Sequence, residues 1–109
     1  MPRINNNEAR RYVQHRCSFK ASNLFAERKD IGGLYVVYSY GHHWPLWVYD
    51  PKAEVWLENT SKYGQTTTVH KSRTNPYVEN AIGMTTDDLK FLIVLGGLAE
   101  YTAVRMGAA

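Results

Sequence analysis

The stretch "LYVVYSY" at Leu34–Tyr40 constrains the fold more than any other part of the chain. It is rich in β-formers, and residues two apart along a strand share a face. Leu34, Val36, Tyr38 and Tyr40 therefore lie on one side. Tyr35 and Val37 on the other side are also apolar, so both faces must be covered, and the strand is predicted to be central in its sheet.

The neighbouring segments extend that strand into a sheet. "DIGG" at Asp30–Gly33 is a turn signal before it, and "GHHWP" makes the connection after it. "LWVYD" and "VWLEN", separated by "PKAE", are predicted to form a hairpin. The β-branched run in "TTTVHKS" favours a fourth strand beyond the loop "TSKYGQ". "FKASNLFAER" is predicted as an extended segment or short helical turn, and "RTNPYVENAIG" is a connector without a strong period.

The C-terminal segment has helix signals at both ends. Thr85 can cap it, Asp88 three residues on can complete a capping box, and Asp87 and Asp88 suit the positive end of the helix dipole. Arg105 suits the other end, and Gly107 terminates it. One helix from Thr85–Thr86 to about Met106 is predicted, burying Leu89, Leu92 and Ile93 against Leu34–Tyr40. Phe91, Leu95, Leu98 and Tyr101 fall on another side, and a helix apolar nearly all round needs a second cover. Gly96 and Gly97 in mid-helix mark where another backbone comes close. Either the N-terminal residues or a second copy, in a homodimer through this helix, would supply it.

The fold class expected is therefore α+β: about four antiparallel strands in a meander, a long C-terminal helix packed on them, and a short N-terminal helical or extended segment. The 109 residues suit one domain. Residues 1–16 are predicted as a flexible or weakly helical arm, unstructured over residues 1–8 with a short helix from Glu8 to about Cys17, and 17–109 as the domain. Cys17 is the single cysteine, which excludes an internal disulfide and a cysteine-rich zinc site. A reducing cytoplasm is the expected setting. The N-terminus lacks a signal-like apolar core, and "FLIVLGGLA" is too short for a bilayer, so no membrane association is expected.

Function is less constrained. His42 and His43 point to opposite sides of an extended chain, so they do not share a metal unless the backbone turns; no metal or cofactor is expected. Trp44, Trp47 and Trp56 suit a core, with one ring, Trp47, as a candidate exposed anchor. The polar segment "KYGQTTTVHKSR" is the leading candidate for partner binding. Lys62, Lys71 and Arg73 carry charge, Tyr63 offers an aromatic face, and Thr66, Thr68 and His70 share one side of the expected strand. The alternative is a solvated edge strand, where threonine and lysine discourage aggregation. No catalytic constellation is apparent: a nucleophile signature and a phosphate-binding glycine loop are both missing, and the chain is read as non-enzymatic.

Within Gly33–Pro76, the strings Tyr35–Gly41, Trp44–Pro45, Tyr49–Asp50, Trp56 with Asn59, Lys62–Tyr63, Thr66–Thr67, His70, Ser72 and Pro76 form a pattern. It resembles a small uncharacterised domain of phage and mobile-element proteins, over 44 of the 109 residues. The resemblance implies a phage or plasmid origin and, by analogy with small phage accessory proteins such as anti-CRISPR proteins, binding to a host or phage protein complex. Direct nucleic-acid binding through Lys62, Tyr63, Lys71 and Arg73 is the alternative; a net charge of +3 permits it without demanding it.

Overall fold

The computed structural model describes residues 1–107. Its centre is one six-stranded sheet in sequential order: β1 (Phe19–Ala21), β2 (Leu24–Arg28), β3 (Tyr35–Ser39), β4 (Pro45–Asp50), β5 (Val55–Asn59) and β6 (Ile82–Met84). The first five strands are antiparallel, and β6 runs parallel to β5. The helices are α1 (Ala9–Gln14), α2 (Gln65–Thr74), α3 (Thr86–Leu95) and α4 (Leu98–Arg105). The α+β class and the central, doubly covered β3 follow the sequence reading. All five residues of β3 are buried.

Each face of β3 belongs to a different core. Tyr35 and Val37 join Ala9 and Val13 of α1 with Phe19, Leu24, Trp47 and Trp56. Leu34, Val36 and Tyr38 join Val48, Leu57, Leu89 and Leu92 on the other side, with Ile93 packed at the margin. The predicted burial against this strand thus holds for Leu89 and Leu92, whereas Ile93 is only partly buried. A β-bulge makes β4 depart from simple alternation: Val37 pairs with Trp47 but Tyr38 with Pro45. Leu46 is the extra residue, and it and Trp47 both enter the first core.

Four expectations are corrected. The sheet has six strands rather than four. "FKASNLFAER", for which an extended segment is one of the two expectations, is extended: it forms the hairpin β1–β2, whose two-residue turn places Asn23 at a φ of 54°, a left-handed conformation asparagine tolerates. "TTTVHKS" is not a strand but lies in α2, and the connector after it contains β6. These last two corrections are one event, because a parallel pair needs a crossover and α2 supplies it between β5 and β6. The residues of α2 that face the sheet, Thr67, His70 and Thr74, recur at intervals of three and four. That is a helical period, carried by polar side chains.

The fourth correction concerns the C-terminal helix, which is two helices. The Thr85 hydroxyl accepts the Asp88 N–H, starting α3 as expected. Gly96 then ends α3 at a φ of 97°, and Gly97 opens α4. The chain reverses, bringing Phe91 against Tyr101 at 6.1 Å between ring centroids and Arg105 onto Asp88. The second apolar side of the segment is thus met only in part by its own returning half: Phe91 remains 40% exposed, and Leu98 and Tyr101 pack against the second core. The glycines do mark a close backbone approach, but to the turn before β3 rather than to the N-terminal arm. A Cβ on Gly32 would stand 1.8 Å from the Gly96 carbonyl oxygen.

Within the N-terminal arm, residues 1–8 are not featureless. The Pro2 carbonyl accepts from the Lys20 N–H and the Ile4 N–H donates back to Lys20, lining the outer edge of β1. Asn5 and Glu8 form a reciprocal cap on a 3-10 turn at Asn6–Glu8. None of the described helices is long and apolar enough to cross a membrane.

Candidate functional site

A cleft of about 570 Å³ lies between the β3–β4 turn and the start of α2. Ser39 and Tyr40 form one wall where β3 ends. His43 and Trp44 come from the turn, while Lys62, Tyr63 and Gly64 lead into α2 and Thr67 follows on its first turn. None of these residues is acidic.

The backbone explains how Tyr40 reaches the cleft. Continued alternation from β3 would turn it toward α3, with Tyr38. Its φ of 68° instead places the chain in the left-handed region, where a bulky residue is strained. The ring lies beside His70, with centroids 5.6 Å apart, and the residue remains 54% exposed. Trp44 and Tyr63, which also line the cleft, meet edge to face at 5.5 Å. The Tyr63 hydroxyl donates to the Asn59 carbonyl at 2.6 Å, tying this wall to β5. The Trp44 indole nitrogen is buried and has no hydrogen-bond partner among the described residues.

The floor is polar. Ser39 Oγ and His70 Nδ1 lie 2.8 Å apart, and the Thr67 hydroxyl is 3.4 Å from Ser39 Oγ. Burial, helped by the charge of Arg73, pushes the His70 imidazole below its ordinary value, so it favours the neutral form. The spacing is that of a nucleophile and its base. The rest of a hydrolytic arrangement is not assembled: Ser39 is fully buried, and no carboxylate hydrogen-bonds His70 among the described residues. The pair holds α2 on the sheet, together with the Trp47 indole N–H donating to the Lys71 carbonyl.

The structure divides the segment "KYGQTTTVHKSR" instead of presenting it as one surface. Lys62 and Tyr63 stand at the cleft. Thr66 and Thr68 are exposed, and the Thr68 hydroxyl donates to the Gly64 carbonyl. Thr68 does not share a face with His70, because a strand's period of two does not apply on a helix, while Thr66, one turn before His70, is exposed in the first turn of α2. Lys71 is paired with Glu58 at 3.0 Å and lies over the Trp47 ring. Arg73 donates to the Asn7 side chain. Trp47 itself is only 3% exposed and is a core residue, not a presented anchor. The half-buried tryptophan at the cleft is Trp44.

The paired histidines do point to opposite sides. His43 lines this cleft, whereas His42 lines a second one of about 500 Å³ that shares Tyr40. There, His42 Nε2 and Lys29 Nζ contact the two Glu27 oxygens at 3.0 and 2.7 Å. Burial alone would raise the Glu27 carboxyl, but these contacts outweigh it and hold the group below its ordinary range. Among the described residues, no three histidine, cysteine, aspartate or glutamate side chains converge as a metal would need. Ser39, Tyr40, His43, Trp44, Gly64 and Thr67 were not singled out for binding from sequence. The signal for four of them was present in "SYGHHW", but their meeting with α2 was not. Comparison with protein-family models, curated proteins and solved structures finds no match to this chain.

Proposed function

We propose that the chain is a non-enzymatic accessory protein, of phage or plasmid type, that docks on a host protein or nucleoprotein complex and modulates it. The observation that carries the docking reading is the acid-free aromatic cleft at Tyr40, Trp44 and Tyr63, with Lys62 beside it. Rings held by packing offer large contact area at low entropic cost, which suits an interface anchor. The buried Ser39 hydroxyl supports binding over chemistry. The resemblance within Gly33–Pro76 supports the origin, and an anti-defence role of the anti-CRISPR kind is one form the modulation would take. Nucleic-acid binding is less favoured, because Lys71 and Arg73 are engaged within the chain.

Crosslinking pull-downs from a bacterial lysate at physiological salt test this reading, comparing the wild type with Tyr40→Gly. A partner captured by the wild type and lost with the variant supports it. Retention of oligonucleotide at about 50 mM salt, falling steeply by about 200 mM, would favour the nucleic-acid alternative. Turnover of a small substrate with no recovered partner would refute the non-enzymatic reading.

A further inference from the structure

Resting on that docking reading, the geometry points to a specific occupant for the cleft: we infer that it takes a short acidic segment of a partner protein, with an aromatic side chain inserted beside Tyr40, Trp44 and Tyr63. Three features support this occupant. The first is ring chemistry: Tyr40, Trp44 and Tyr63 all line the cleft, which suits a flat apolar group offering its face or edge. The second is charge. Lys62 makes no ion pair among the described residues and its surroundings in the cleft contain no carboxylate. A partner carrying aspartate or glutamate beside the ring meets this cation, while a lysine- or arginine-flanked ring meets repulsion. The third is size: about 570 Å³, open to solvent, holds more than one side chain, so a segment of backbone can enter with its ring.

Tyr40 supplies an independent indication. Glycine would occupy a φ of 68° without strain, yet the chain keeps an exposed tyrosine there. Its ring adds no cover to either apolar core, and it forms the wall that this cleft shares with the one behind it. A conformational cost accepted at a cleft wall is accounted for if the ring contacts a partner.

The test is selection of short random peptides, displayed on particles, against the intact protein, with Tyr40→Gly and Lys62→Glu as counter-selections. Both variants should fold, since the first relieves backbone strain and the second alters an exposed unpaired side chain; circular dichroism checks each. The expected enrichment is of sequences that place tyrosine, phenylalanine or tryptophan beside aspartate or glutamate. A synthesised winner should bind roughly tenfold more weakly to Lys62→Glu, and more weakly at high salt, and should lose binding to Tyr40→Gly. Enrichment of basic or purely aliphatic peptides that still depend on Tyr40 would overturn the occupant and leave the docking reading standing. Enrichment indifferent to both variants, or none at all, would overturn both. Adenosine monophosphate is the small-molecule control: if it alone perturbs the Trp44 indole resonance, the cleft serves a nucleotide and the inference fails.

Discussion

Replacing Gly32 with alanine should be among the most damaging single-methyl changes this chain can suffer. Gly32 sits in the turn before β3 with a φ of 76°, where alanine costs about 1–2 kcal/mol in backbone strain. The new methyl would also stand 1.8 Å from the Gly96 carbonyl oxygen, with the carbonyl carbon at 2.7 Å. Backbone cannot rotate aside as a side chain can, and that same oxygen accepts from Lys52 Nζ at 2.9 Å. The turn and the α3–α4 junction must therefore separate, a forced repacking worth about 1–3 kcal/mol. The sum is about 2–5 kcal/mol, or a fall of roughly 8–40 °C in melting temperature for a domain of this size. Gly33→Ala is the internal control. Its φ of 65° imposes similar strain, but the nearest atom to its methyl is Pro51 Cγ at 3.7 Å, an ordinary contact. It should cost only about 1–2 kcal/mol. Any gain from restricting the unfolded chain is common to both variants and cancels in the difference. Thermal and urea unfolding of the pair measure it directly. Equal destabilisation by the two alanines would show that the close approach of turn and junction does not exist.

Other consequences follow from particular contacts. Leu92→Ala empties a fully buried position between α3 and the sheet, and should cost about 2–5 kcal/mol in urea unfolding. Asp50 is almost wholly buried, and its carboxylate accepts the N–H groups of Lys52, Ala53 and Leu98, linking the β4–β5 turn to the start of α4. Asp50→Asn replaces one acceptor oxygen by a donor and should cost about 1.5–3 kcal/mol, with faster amide exchange at Leu98. The buried His70 imidazole binds its proton less readily in the folded chain than at its ordinary value of 6.5. Its contribution to stability is therefore whole above pH 6.5 and is lost as pH falls toward the lower folded value, because the unfolded chain takes the proton first. Urea midpoints across that range should fall with acidity in the wild type, and His70→Asn should remove that part of the slope.

The local pattern of the chain determined those elements whose buried faces are apolar and whose ends are marked. Tyr35–Ser39 declares a covered strand because every position but the last is apolar. Thr85 and Asp88 start α3 by a local hydrogen bond, and "DPKAE" separates two strands by turn chemistry. Leu89 and Leu92 could be placed on the sheet because a helical stripe facing an apolar strand has few other partners. Helix α2 was illegible for the opposite reason. Its threonines carry strand propensity, and the side chains it buries, His70 and Thr74, are polar. Their burial is tolerable only because Ser39 and the backbone carbonyl of His70 are there to bond them. Propensity and hydrophobic period see neither partner.

Tertiary structure alone decided the remainder. The parallel pairing of β6 became possible only once α2 crossed the sheet, and it in turn set where α3 begins. Gly96 and Gly97 were visible as a weakness in a helix, but the reversal they permit is favoured by contacts made after it: Phe91 on Tyr101, Arg105 on Asp88, and Leu98 N–H on Asp50. The candidate site has the same origin. Tyr40, Trp44 and Tyr63 are ordinary aromatics in three successive segments until a left-handed residue and a crossover helix bring them to one opening. Sequence specifies the turn and helix signals locally, whereas a cleft exists only between elements, where distances are set by everything packed behind them.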